Sequence, residues 1–242
     1  MKIEILFPEL CNLFGDMATV EYLKKTLPEA EFIETHLNDE LKFLKEKINL
    51  VYMGPMTENT QELVIEKFKP HKDEIMAEIE KDTVFFFTGN ALEVMGDYIL
   101  TDDGEKIPAL GLFRFYTQRD MFHRHNSAFL GMFEGKEVMG FKSQFTTCYP
   151  ENDDNAFIKT IKKGMGMNLN SKGEGYRCHN FMGTHLIGPV FILNPHLARY
   201  ILGLMGAETE LAYNDVVEEA YKQRLEDFYA HIPDKVAKYR YM

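Results

Sequence analysis

The sequence predicts an α/β fold, a doubly wound and mostly parallel sheet flanked by helices. Three observations carry that prediction. Lys2 to Phe7, Glu31 to Thr35 and Leu50 to Gly54 are short strand-like runs separated by helix-compatible segments, the βαβ rhythm of a parallel sheet. Thr83-Val84-Phe85-Phe86-Phe87 is an unbroken β-branched and aromatic run, as expected for a central strand buried on both faces. That run breaks at Thr88-Gly89-Asn90 and restarts at Ala91 with helix-compatible residues, so strand, sharp turn and helix succeed one another as in a nucleophile elbow. Ligands of such a sheet lie at the carboxyl ends of its strands.

Each element has its own signal. Pro8 ends the first strand, and Glu9 to Asp16 form a loop at its carboxyl end. Val20, Leu23 and Leu27 give Ala18 to Leu27 one apolar face, and Pro28 stops that helix. Gln61 to Lys81 has helical spacing through Leu63, Ile65, Phe68, Ile75 and Ile79, with Pro70 expected to kink or split it. After Gly96 the pattern turns to β: Tyr98 to Leu100, an Asp103-Gly104 turn, and Ile107 to Phe115 read as a hairpin followed by a strand. Met121 to Phe129 is expected to be irregular, Glu137 to Thr147 a strand, and Phe157 to Met167 a partly irregular loop. Tyr176 to Val190 holds a further strand ending at Gly188-Pro189, and His196 to Leu204 and Asp215 to Ala230 are helices by spacing. No repeat or linker interrupts the chain, so one domain over residues 1–242 is expected.

Composition narrows the function classes. A net charge of -11 argues against a nucleic-acid backbone or an anionic membrane as main partner. Cys11, Cys148 and Cys178 show no metal-ligand spacing, and so sparse a set suits reduced thiols. No apolar run reaches the roughly 18 residues of a membrane-spanning helix. Lys2 to Phe7 reads as a strand rather than a signal peptide. A cytoplasmic protein without a cofactor is the expectation. His123-Arg124-His125 could place two imidazoles on one strand face, but no third ligand lies close in sequence, so a surface loop is the better reading and no metal is expected. Glu218, Glu219, Glu226 and Asp227 read as the solvated face of the last helix.

Five stretches in order resemble one family, the class I glutamine amidotransferases of the cobyric acid synthase type, and within it the amidotransferase subunit of lipid II isoglutaminyl synthases. Phe7-Pro8-Glu9-Leu10-Cys11-Asn12-Leu13-Phe14-Gly15-Asp16 is similar to that branch's amino-terminal signature. Gly89-Asn90-Ala91-Leu92-Glu93-Val94-Met95-Gly96 stands where the family has Cys-Gly-Gly-Tyr-Gln, two apolar residues and Gly. Asp103-Gly104 with Ala109-Leu110-Gly111-Leu112 resembles the middle segment, and Gly140-Phe141-Lys142-Ser143-Gln144 stands where Gly-Phe-Glu-Asn-His is common. Gly183-Thr184-His185-Leu186-Ile187-Gly188-Pro189 resembles the histidine segment Gly-Thr-Tyr-Leu-His-Gly-Pro. The resemblance implies a flavodoxin-like sheet and an ATP-dependent partner of the Mur-ligase or cobyric-acid-synthase kind.

It also implies a chemistry whose parts can be checked. Cleaving a glutamine side-chain amide needs a thiolate to form a thioester and an imidazole to activate the thiol and protonate ammonia. Backbone N–H groups hold the oxyanion, each contributing roughly 3 to 4 kcal/mol. Here the nucleophile position is Gly89 and the base position Ile187, so neither reactive group stands where the family has it. Glycine accepts the elbow backbone without strain, so the geometry can outlast the chemistry. Thr88, Gly89, Asn90, Ala91, Glu93, Gln144, His185 and Ile187 are expected to line the remnant pocket. Glu93, in place of a neutral glutamine, adds charge unfavourable to a glutamate product. His185 is expected one pleat behind the base, roughly 6 to 7 Å away, as a structural histidine; Cys148 and Cys178 are expected to be unreactive thiols. Three readings stay open: an amidotransferase-like scaffold, regulatory or ligand-binding subunit without glutaminase activity; an active amidotransferase using a displaced thiol or base; and different chemistry in the remodelled pocket.

Overall fold

The computed structural model describes residues 1–232. Its first half alternates strand and helix: β1 (Lys2–Leu6), α1 (Ala18–Thr26), β2 (Glu31–Thr35), β3 (Leu50–Met53), α2 (Glu58–Phe68), α3 (Lys72–Ile79) and β4 (Val84–Thr88). Nine strands follow: β5 (Tyr98–Leu100), β6 (Lys106–Pro108), β7 (Phe115–Arg119), β8 (His125–Phe133), β9 (Lys136–Gln144), β10 (Thr146–Pro150), β11 (Thr160–Lys163), β12 (Tyr176–Cys178) and β13 (Phe181–Thr184). The last described elements are α4 (Val190–Leu193), α5 (Pro195–Leu204) and α6 (Asn214–His231).

The main sheet has the order β12-β13-β4-β3-β1-β2, parallel throughout except for the edge strand β12. Period-two alternation on β4 sends its side chains to two cores. Phe85 and Phe87 pack with Val64, Ile65 and Phe68 of α2 and Ile75 and Ile79 of α3. Val84 and Phe86 pack on the other face with Val20 and Leu23 of α1 and Leu197 and Ile201 of α5. The sheet is doubly wound, as the sequence predicts. Pro70 sits in a 3-10 turn, Lys69–His71, that separates α2 from α3.

Several local expectations need correction. Gly89–Met95 is a 3-10 segment and not an α-helix. The Asn90 carbonyl, which an α-helix would give to an N–H four residues on, accepts instead from Gln61 Nε2 (2.8 Å). Within the stretch expected to be irregular, His125–Phe133 forms β8, paired antiparallel with β9 along its whole length. Its first residues are half-exposed and its later ones buried on both faces, so no clean alternation marks it. The single strand expected over Glu137 to Thr147 is two, because the chain leaves one sheet and enters another at Phe145: β9 pairs with β8, and β10 pairs with β7. β5, β6, β7 and β10 form a second sheet, and β8, β9 and β11 a third. Residues 109–114 are not a strand, and β7 begins at Phe115.

Fully buried Asn194 ties the third sheet to the helices. Its Oδ1 accepts from Met139 N (2.8 Å), and its Nδ2 donates to Met139 O (2.8 Å) and Val190 O (2.9 Å). No helix among the described residues is long and apolar enough to cross a membrane. Asn194→Ala orphans two buried main-chain groups of β9, so the expected cost is about 2 to 4 kcal/mol. Urea denaturation checks this: the midpoint falls while the slope stays unchanged.

Candidate functional site: a closed elbow and a buried thiol–imidazole cluster

At the carboxyl end of β4 the elbow backbone is present. Gly89 has φ +58°, in the left-handed region that costs a side-chain-bearing residue strain. The space above it is filled. A Cβ on Gly89 would lie 2.5 Å from Pro55 Cβ and 3.3 Å from Ile187 Cγ2. Pro55 is held there because the next residue is stitched to the elbow: Met56 N donates to Asn90 Oδ1 (2.9 Å) and Asn90 Nδ2 donates to Met56 O (2.8 Å). Ile187 therefore still faces the apex across from Gly89, with an alkyl group where an amidotransferase needs an imidazole.

Beneath the apex the strand ends converge on one carboxyl group. Asp16 Oδ2 accepts from Thr88 Oγ1 (2.8 Å) and from the Tyr52 hydroxyl. Burial pushes this carboxyl up to about 7, against the lowering effect of those donors. Thr88 thus packs into the sheet through Asp16.

A second cluster lies behind the elbow, where three sheets meet. His185 Nε2 is 3.4 Å from Cys148 Sγ and 3.4 Å from Glu93 Oε1. His185 Nδ1 is 3.4 Å from Glu174 Oε1, and Lys142 Nζ is 3.2 Å from the same oxygen. Cys148 is 0% exposed and His185 1%. Surrounding groups hold each member. Gln61 Nε2 donates to Glu93 Oε2 (2.9 Å), Thr146 Oγ1 donates to Glu93 Oε1, and Thr184 Oγ1 (2.6 Å) and His185 N (2.9 Å) donate to Glu174. Burial alone would lower the imidazole, but the Cys148 sulfur and the carboxylates Glu174 and Glu93 outweigh it and hold His185 well above its ordinary value. Burial raises the Cys148 thiol more than His185 lowers it. Burial would also raise Glu174, yet Lys142, His185 and Thr184 bring it down to about 2. The centre sets the His185 imidazole between the carboxyl groups of Glu93 and Glu174 and beside the Cys148 thiol, with Lys142 paired to Glu174.

A pocket of about 120 Å³ opens at this edge, lined by Leu13, Phe14, Pro55, Met56, Arg124 and Ser143 among others. Of the residues expected to line it, Gly89, Asn90, Gln144, His185 and Ile187 do. Thr88, Ala91 and Glu93 do not: all three are buried, Thr88 turned to Asp16 and Glu93 to Gln61, Thr146 and His185. Larger clefts of about 620 and 510 Å³ lie elsewhere, the first at the amino ends of β3, β4 and β13, and one of about 340 Å³ adjoins this edge, lined by Gln144, Thr146, His123 and His125 among others. His123 and His125 do not converge on a shared ligand: His123 faces Asp120 (2.8 Å) and His125 faces Ser127 (2.9 Å).

Comparison with known proteins decides the fold. A glutamine amidotransferase crystal structure superposes with a TM-score of 0.55 at 14% identity, covering 84% of this chain and 99% of that one. A chain of PurLQS from Thermotoga maritima gives a TM-score of 0.50 at 12% identity, covering 93% and 98%. The fold is that of the class I glutamine amidotransferases. Lipid II isoglutaminyl synthase (glutamine-hydrolyzing) subunit GatD of Staphylococcus aureus strain N315 is similar in sequence, 22% identical over 195 residues, which is 79% of this chain and 78% of that protein. No protein-family model matches the chain.

Within this amidotransferase-like fold, sequence reasoning found the elbow and the two substituted positions but not the cluster. Lys142, Cys148 and Glu174 went unassigned because their partners lie apart in the chain, His185 being 43, 37 and 11 residues from them respectively. A faint signal was present: Thr146 and Cys148 sit two apart on one strand and share its buried face. Cys148, expected to be an isolated thiol, has an imidazole beside it.

Two measurements test this geometry. Gly89→Ala must overlap Pro55 and adopt a strained φ, so it is expected to lose about 1 to 3 kcal/mol or more; wild-type stability in that variant would show that the loop carrying Pro55 moves freely. Folding raises the Asp16 carboxyl above its ordinary 3.8 to about 7, so its stabilising protonation is complete at low pH and is lost as pH rises through 7. Denaturation between about pH 4 and pH 7 is expected to show stability falling with pH and levelling off above 7, and Asp16→Asn to remove a large part of that slope.

Proposed function

We propose that this chain is an amidotransferase-like ligand-binding or scaffold subunit that does not hydrolyse glutamine at the elbow. One observation carries the reading: Gly89 offers no nucleophile, and Pro55 occupies the volume one would need. The single thiol–imidazole contact near the edge does not restore the chemistry. Cys148 is sealed from solvent, out of reach of a substrate amide, and burial holds its thiol above its ordinary value.

The pocket still suits a small polar ligand, since Arg124 and Glu58 line it with opposite charges, as the carboxylate and ammonium of an amino acid require. At about 120 Å³ it falls below the roughly 300 to 1,000 Å³ of sites that engulf a drug-sized molecule. The similarity to one subunit of a lipid II isoglutaminyl synthase supports a synthetase subunit as partner, and the family resemblance of the sequence implies that this partner is ATP-dependent and Mur-ligase-like.

A second reading rests on the Cys148–His185 contact itself, the arrangement a displaced-thiol amidotransferase would use. It requires the cluster to open to the pocket that His185 already lines. Ammonia release from glutamine, measured on the chain alone and with any co-purifying protein, separates the two. The expected result is no turnover. Turnover abolished by Cys148→Ala and kept in Cys11→Ser and Cys178→Ser would establish the second reading instead. Turnover surviving replacement of all three cysteines would exclude both. Gly89→Cys is expected to remain silent, because Ile187 supplies no base and Pro55 crowds the new side chain.

A further inference from the structure

Among the described residues, Glu93, Cys148 and His185 bring a carboxylate oxygen, a thiol sulfur and an imidazole nitrogen to within 4.8 Å of one another. The arrangement is odd for hydrogen bonding alone. His185 Nε2 carries one N–H at most, yet it stands at 3.4 Å from both Cys148 Sγ and Glu93 Oε1. An N–H aimed at one of them leaves the other at a distance that is long for a hydrogen bond.

The spacing is natural for donors around an ion. Zinc bonds of about 2.0 to 2.3 Å in a tetrahedron set neighbouring ligand atoms about 3.3 to 3.6 Å apart. We propose that Glu93, Cys148 and His185 form a binding site for a divalent transition-metal ion of the zinc class. Sulfur and imidazole together favour zinc or cobalt over magnesium or calcium.

The surrounding groups match what such a site needs. A metal-bound histidine commonly gives its other ring N–H to a carboxylate, and Glu174 Oε1 lies 3.4 Å from His185 Nδ1. Gln61 Nε2 holds Glu93 Oε2 (2.9 Å), so the other carboxylate oxygen faces the sulfur and the imidazole. Thr117 Oγ1 lies 3.1 Å from Cys148 Sγ, within reach to donate to a thiolate. Three protein donors leave a fourth position for a water or for a donor entering by the pocket that His185 lines.

The test is a titration of the metal-stripped full chain with cobalt(II), followed by displacement with zinc. The expected result is one equivalent bound with a thiolate-to-cobalt charge-transfer band. The band should be absent in Cys148→Ser, present in Cys178→Ser, and the affinity at least tenfold weaker in Glu93→Gln. A band that persists in Cys148→Ser, or no stoichiometric binding, overturns the proposal. Since Cys148→Ser could fail to fold, X-ray absorption of the zinc-loaded wild type gives an independent answer: one sulfur at about 2.3 Å with nitrogen or oxygen at about 2.0 Å supports the site, and a shell without sulfur overturns it. Neither readout depends on ammonia release, so this proposal and the glutaminase-silent reading fail separately.

Discussion

The carboxylate of Glu174 is the interaction on which this edge of the molecule depends. It has no exposure to water, yet it is ionised, because Lys142, Thr184 and both the main-chain and side-chain nitrogens of His185 converge on it. A buried ion pair contributes little net stability by itself, but removing one partner strands a charge and is costly. Through Glu174 the third sheet, by way of Lys142, is joined to the end of β13 in the main sheet. His185 then carries the connection to Glu93 after β4 and to Cys148 in the second sheet. Three sheets thus share one polar centre, which specifies their relative placement in a way apolar packing alone would not.

Around that centre the chain after β4 turns as an elbow with Gly89 at its apex. The left-handed turn at Gly89 survives because glycine tolerates it, and Pro55 and Ile187 now close over it. Chemistry-bearing side chains have not left the neighbourhood. A thiol, an imidazole and two carboxyl groups stand a short distance behind, shut away from water. An amide-cleaving thiol must be reachable by its substrate; here Cys148 is buried.

The legible part of the fold was the part governed by local pattern. β1, α1, β2, β3, the split helix at Pro70, β4, α5 and α6 all announce themselves through apolar periodicity and proline stops, and they form the doubly wound core. The illegible part was β8 and the division of β9 from β10. β8 runs from a half-exposed start to a fully buried end, so its alternation is blurred, and the switch between sheets at Phe145 has no composition signal. The 3-10 form after Gly89 depends on Gln61 reaching across from α2 to take a carbonyl, which no local reading contains.

By itself the sequence determined the sheet class, the elbow, and that Gly89 and Ile187 stand where the family resemblance places a cysteine and a histidine. Those facts follow from residue identity and short-range spacing. Only the tertiary structure decided that Cys148 meets His185, that Glu93 turns away from the pocket, and that Pro55 fills the space over Gly89. Each is a contact between residues 32 to 92 positions apart, set by how neighbouring strands, a helix and separate sheets are brought together, and a chain read in order carries no measure of that distance.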